Sequence, residues 1–142
     1  MLAIQNAKTV PVFVTANLRG YFQSADRNEL TKHVRERPAG LLTELHHLSR
    51  PEDPARTIAR NQKFWARCWP HVVEARQYQL NEDMTALALH YASMRVLFAH
   101  YCLVNGNADA AQSSANAVLD LDPDPLLDRI NQIYETRGSR YH

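Results

Sequence analysis

The sequence predicts an all-α fold: a compact bundle of about six to seven helices around a long central helix at about residues 82–105, with a short extended N-terminal arm. Three observations predict it. First, Asn81 to Gly106 reads NEDMTALALHYASMRVLFAHYCLVNG, and Leu87, Tyr91, Met94, Phe98 and Tyr101 recur at alternating four- and three-residue steps, the repeat of one helical stripe. Second, glycine is scarce, 4 in 142 residues, which argues against a turn-rich β protein and against a glycine-rich phosphate loop. Third, Asp53-Pro54 and Asp124-Pro125 each place a capping side chain before a proline at the first helical position.

The elements follow in order. Residues 9–15, TVPVFVT, are the only β-like run, and Pro11 restricts it to an edge strand or extended arm. Asn17 to Phe22 reads as a short helical turn. Ser24 caps a surface helix from Ala25 to Arg37, ended by Pro38. Leu41, Leu42, Leu45 and Leu48 mark the next helix, from Ala39 to Ser49. The helix from Pro54 to Trp69 turns Ile58, Trp65 and Trp69 one way and Arg56, Arg60, Lys63 and Arg67 the other. Pro70 ends or kinks it, and His71 to Leu80 continue in a new direction.

The central helix is apolar nearly all round, as a buried strut or a membrane span would be. Arg95 at its midpoint would cost about 2.5–3.5 kcal/mol in a bilayer, so it reads as a soluble core helix with no membrane partner. Asn107 caps a helix from Ala108 to Asp122, Asp124 a last one from Leu126 to Arg137, and Gly138 stops it ahead of a frayed SRYH tail.

With no long Pro/Gly/Ser linker, the reading is a single domain, 1–142: an arm and turn at 1–24, a basic helical half at 25–80, and the central helix with an acidic pair at 81–138. Residues 1–80 hold 12 Lys/Arg against 7 Asp/Glu, a balance of +5, while residues 81–142 hold 4 against 8, a balance of −4. Such polarity suits an acidic partner or head-to-tail self-association. The two cysteines, Cys68 and Cys102, sit in apolar surroundings and read as reduced thiols of a cytoplasmic protein. No secretion signal or lipidation motif is visible.

Residues 92–125 resemble a single tetratricopeptide repeat, a helix–turn–helix unit of 34 residues. Ala99 stands at the small position of the first helix, Gly106 at the turn, Ala111 early in the second helix, and Pro123 beyond it within VLDLDPDP. Arg95, Cys102 and Ala115 replace aromatic positions of that family, and no second copy occurs in residues 1–90. The resemblance implies protein binding rather than catalysis.

No nucleophile elbow, Cys-x-x-Cys, H-E-x-x-H or P-loop occurs, so neither catalytic residues nor a cofactor are expected. Metal readings are weaker than their bland alternatives. Glu44-x-x-His47 has di-iron spacing but no matching second half, His90 and His100 lie almost on one face, and His71-x-x-Glu74 is reversed. Asp120, Asp122, Asp124 and Asp128 lack the Gly and terminal Glu of a calcium loop. The expectation is a non-enzymatic protein-interaction module (adaptor, chaperone or small inhibitor) that meets an acidic partner through Arg56, Arg60, Lys63 and Arg67. The alternative sets those four residues on nucleic-acid phosphates, although the stripe lacks interleaved aromatics for base stacking.

Overall fold

Residues 34–47 form a β-hairpin, not a helix, and this overturns the all-α expectation. The computed structural model describes residues 2–15, 29–77 and 82–121. Its elements are α1 (Leu2–Ala7), β1 (Val12–Thr15), β2 (Val34–Ala39), β3 (Leu42–His47), α2 (Pro54–Gln77), α3 (Glu82–Val104) and α4 (Ala108–Leu121). The strands make an antiparallel sheet in the order β1-β3-β2, so the architecture is mixed α/β. The chain divides into two compact units, residues 1–61 and 62–142.

In the first unit, Ala39 pairs with Leu42 across a two-residue turn. Gly40 stands first in that turn at φ +64°, a conformation that tight hairpin turns demand and glycine supplies. The leucines that suggested a helix fit its period only by coincidence. Of the four just one, Leu45, is fully buried, while Leu42 and Leu48 are 38% and 46% exposed. The surface helix expected to end at Arg37 stops early: residues 29–31 are helical, and β2 begins at Val34. Pro38 lies within β2, an edge strand, where its missing N–H is tolerated.

Of the two readings of residues 9–15, an edge strand or an extended arm, the structure shows the strand: β1 is an edge strand paired with β3 from Val12↔Leu45 to Thr15↔Leu42. It is preceded by α1, a helix absent from the sequence reading. Ile4 and Ala7 of α1 join Val14, Leu30, Val34 and Leu45 in one buried cluster. Alternation does the rest, since Val14, Leu45 and Val34 fall on the same face of paired strands.

Helix α2 begins as expected. The Asp53 carboxylate accepts the Arg56 N–H at 3.1 Å and its carbonyl accepts the Thr57 N–H at 3.1 Å, which is N-capping. The helix runs through Pro70 without ending. Pro70 removes the i+4 donor of the Ala66 carbonyl, and both residues are exposed, where water can take the donor's place.

In the second unit, α3 and α4 pack as a helical hairpin. Gly106, at φ +81°, closes α3. Its N–H donates to Leu103 O at 3.2 Å and that of Asn107 to Cys102 O at 2.8 Å, the paired bonds of a Schellman motif. The Asn107 side chain then accepts the Ala110 N–H at 3.0 Å. Ala92, Met94, Val96, Phe98, Ala99 and Cys102 are buried along α3, with Ala110, Ala111, Ser114 and Val118 along α4. The helix is not buried all round: Leu87, Leu103 and Val104 are 47%, 60% and 68% exposed. Residues Ala86–Val104 reach the length and mean hydropathy, 1.2, of a membrane span, with 33% of that stretch buried. The Asn17–Phe22 turn, the Ser24 and Asn81 caps, the aspartates beyond Leu121 and the helix from Leu126 to Arg137 lie outside the described residues.

Candidate partner-binding helix

Arg56, Arg60, Lys63 and Arg67 are all exposed on α2. At 100° per residue they occupy about 60° of arc, and at 1.5 Å per residue they extend over about 16 Å of axis. Among the described residues no carboxylate comes within ion-pair distance of any of them. Beside them lies a second exposed row, Ala55, Ala59, Gln62, Ala66 and Pro70, mostly small. The arrangement presents four cations next to a surface low enough for a partner's backbone to approach. Trp65 and Trp69 are 1% and 8% exposed, on the opposite side of the helix, so no indole borders the stripe.

Two polar clusters that the sequence reading missed stabilise the first unit. Arg37 and Glu44 pair across β2 and β3, with Nη2 donating to Oε2 at 2.8 Å, both residues buried. Asn61 of α2, 3% exposed, anchors the hairpin turn. Its Oδ1 accepts the Gly40 N–H at 2.9 Å, and its Nδ2 donates to Pro38 O and Thr57 O, each at 2.8 Å. Neither cluster is legible as long as 39–49 reads as a helix. With the turn at Gly40-Leu41 recognised, Arg37 and Glu44 become cross-strand partners by counting alone.

The histidine and metal readings do not converge. Glu44 and His47 sit three apart on a strand and so point to opposite faces, and Glu44 is already engaged by Arg37. His46 Nε2 meets Arg50 O at 3.3 Å, while His47 Nδ1 accepts the Ser49 N–H at 3.1 Å. Burial pushes the His47 pKa down, and the charges of Lys8, His33 and His46 push the same way. His90 and His100 are ten residues apart on α3, about 15 Å along its axis, too far to share an ion. His71 and Glu74 are exposed. Among the described residues no group of three or more His, Cys, Asp or Glu is placed to hold a metal ion.

In the second unit, Arg95 of α3 lies over the rings of α2. Its guanidinium carbon is 4.6 Å from the Trp69 ring centroid and 5.7 Å from that of Trp65. Burial draws its pKa down, and Cys68 acts weakly in the opposite sense. Burial also raises the thiol pKa of Cys68, and that of Cys102 to about 11, so both thiols are protonated at neutral pH. No family model, curated protein or solved structure matches the chain.

Proposed function

We propose that this protein is a non-enzymatic interaction module of the cytoplasm that docks an acidic protein surface on the basic stripe of α2. The observation that carries the reading is the stripe itself: four exposed cations on one helix, without carboxylate partners among the described residues, beside a row of small side chains. Cations opposite a packed apolar face are common on surface helices. Four of them unneutralised in one narrow arc attract an anionic partner over about a Debye length and set its register. The resemblance of 92–125 to a tetratricopeptide repeat supports the same reading. The hairpin of α3 and α4 buries Ala99 and Ala111, the small residues that let two helices approach closely.

The same cations would suit phosphates, but Trp65 and Trp69 are turned inward, which favours a protein partner over a single-stranded nucleic acid. Fluorescence anisotropy decides between them. A labelled helical peptide carrying Glu at four-residue spacing should bind, weaken across roughly 50–200 mM salt, and lose at least about tenfold in affinity with Arg60→Glu/Lys63→Glu. Labelled duplex DNA should bind more weakly at every salt concentration. Tighter binding to the duplex, with a log–log salt slope of about −3 to −4, would replace this reading by the nucleic-acid one. No binding to either would remove the stripe as a site.

A further inference from the structure

Asn61 and the Arg37–Glu44 pair meet buried partners; the Arg95 guanidinium meets two rings and, among the described residues, no anion. Trp65 and Trp69 stand edge-to-face, centroids 5.9 Å apart and planes at 75°, and the guanidinium carbon lies within 6 Å of both centroids. Arg95 Nε is buried without a hydrogen-bond partner, as is Trp65 Nε1. Among the described residues no carboxylate lies within ion-pair distance of Arg95. Its neighbour Cys68 is a neutral thiol at neutral pH and supplies no countercharge. The residue as a whole remains partly exposed, and neither Nη shares the buried, unpartnered state of Nε.

A guanidinium drawn out of water without a counter-anion is an expensive arrangement. Ring faces offset part of that cost and restrict where the guanidinium sits. A fixed planar fork suits an oxyanion that accepts two parallel N–H bonds. We propose that Arg95, held beside Trp65 and Trp69, is an oxyanion-binding site that takes a carboxylate or phosphate group on its open edge. The site faces away from the basic stripe, since Trp65 and Trp69 lie on the buried side of α2, and it does not depend on the docking reading.

The test uses the full chain and its own fluorescence, because its only two tryptophans, Trp65 and Trp69, are both in the site. Inorganic phosphate and acetate are titrated separately over roughly 0.1–50 mM, an affinity range accessible to ligands of four or five heavy atoms, at ionic strength held constant with chloride. A saturating change in tryptophan emission is expected with at least one of them, and which one identifies the head group. Arg95→Met should abolish the response while far-UV circular dichroism stays native. Arg95→Lys, which keeps the charge and loses the fork, should weaken binding at least about tenfold, and it decides the matter if Arg95→Met does not fold. No saturation with either anion, or equal affinity in Arg95→Lys, would overturn the proposal. Arg60→Glu/Lys63→Glu should leave the titration unchanged, which separates this site from the stripe.

Discussion

Asn61→Ala tests how the hairpin is held. The substitution removes the acceptor of the buried Gly40 N–H and the donor to Pro38 O. An orphaned buried donor costs about 1–3 kcal/mol and a lost neutral bond about 1 kcal/mol. The bond to Thr57 O stays within one helical turn and adds little. Alanine is the better helix former by about 0.5 kcal/mol. The expected net loss is about 2–3 kcal/mol, a substantial part of the stability of a domain of this size. Urea denaturation followed by far-UV circular dichroism measures the total, and hydrogen exchange at the Gly40 amide localises it to the turn. Asn61→Asp sharpens the test. It keeps an acceptor for Gly40 but sets a carboxylate against two carbonyl oxygens, so at neutral pH it should be worse than alanine. A loss below about 0.5 kcal/mol in Asn61→Ala, or an unchanged Gly40 exchange rate, would refute the argument.

Three further outcomes follow from other parts of the fold. Arg37→Met alone should cost about 3–5 kcal/mol by leaving Glu44 buried and unpaired, whereas Arg37→Met/Glu44→Leu should recover most of that; equal losses in the two variants, by urea denaturation, would contradict the pairing. At Gly106 an added Cβ meets nothing within 4 Å, so Gly106→Ala should lose only the left-handed conformational cost, about 1–2 kcal/mol, and Gly106→Asn less; the melting temperatures rank them. Because burial depresses the His47 pKa in the folded state, the unfolded chain takes up that proton first as pH falls. The contribution of His47 is therefore complete above its unfolded pKa near 6.5 and declines as pH drops from there through the folded pKa. Melting temperatures from pH 8 to pH 5 should show a decline that His47→Gln flattens, and an identical profile in that variant would exclude His47 as the cause.

The elements legible in the sequence are those whose local signals agree with their packing. Asp53-Pro54 and Asn107 announce the starts of α2 and α4, and Gly106 the end of α3, because caps and left-handed stops depend on the neighbouring residues alone. The hairpin failed for the opposite reason. Leu41, Leu42, Leu45 and Leu48 satisfy a helical period, yet the backbone bonds that fix β3 come from β2, across the turn, and from β1, about 30 residues earlier in the chain. Local propensity yields to such pairing. The signal that argues against the helix is Gly40, the second residue of the stretch read as helical, directly after Pro38-Ala39; a proline and a glycine so close together punctuate rather than propagate.

The candidate sites divide along the same line. The basic stripe was readable because its four members share one helix, and periodicity alone sets them side by side. In the sequence Arg95 reads as an obstacle to membrane insertion and as a departure from the repeat pattern, since Trp65 and Trp69 lie 26 or more positions earlier and meet it only in the folded chain. That packing changes the meaning of the residue. On an isolated apolar helix, an arginine at the midpoint is a cost that decides between water and bilayer. Over two indole rings it becomes a fixed, half-desolvated cation, and its free edge requires an anion in a way that the exposed cations of the stripe do not. The stripe is already solvated, so salt should weaken whatever it binds. Arg95 is screened by the rings and by burial, and the affinity it confers should persist at salt concentrations that release a partner from α2.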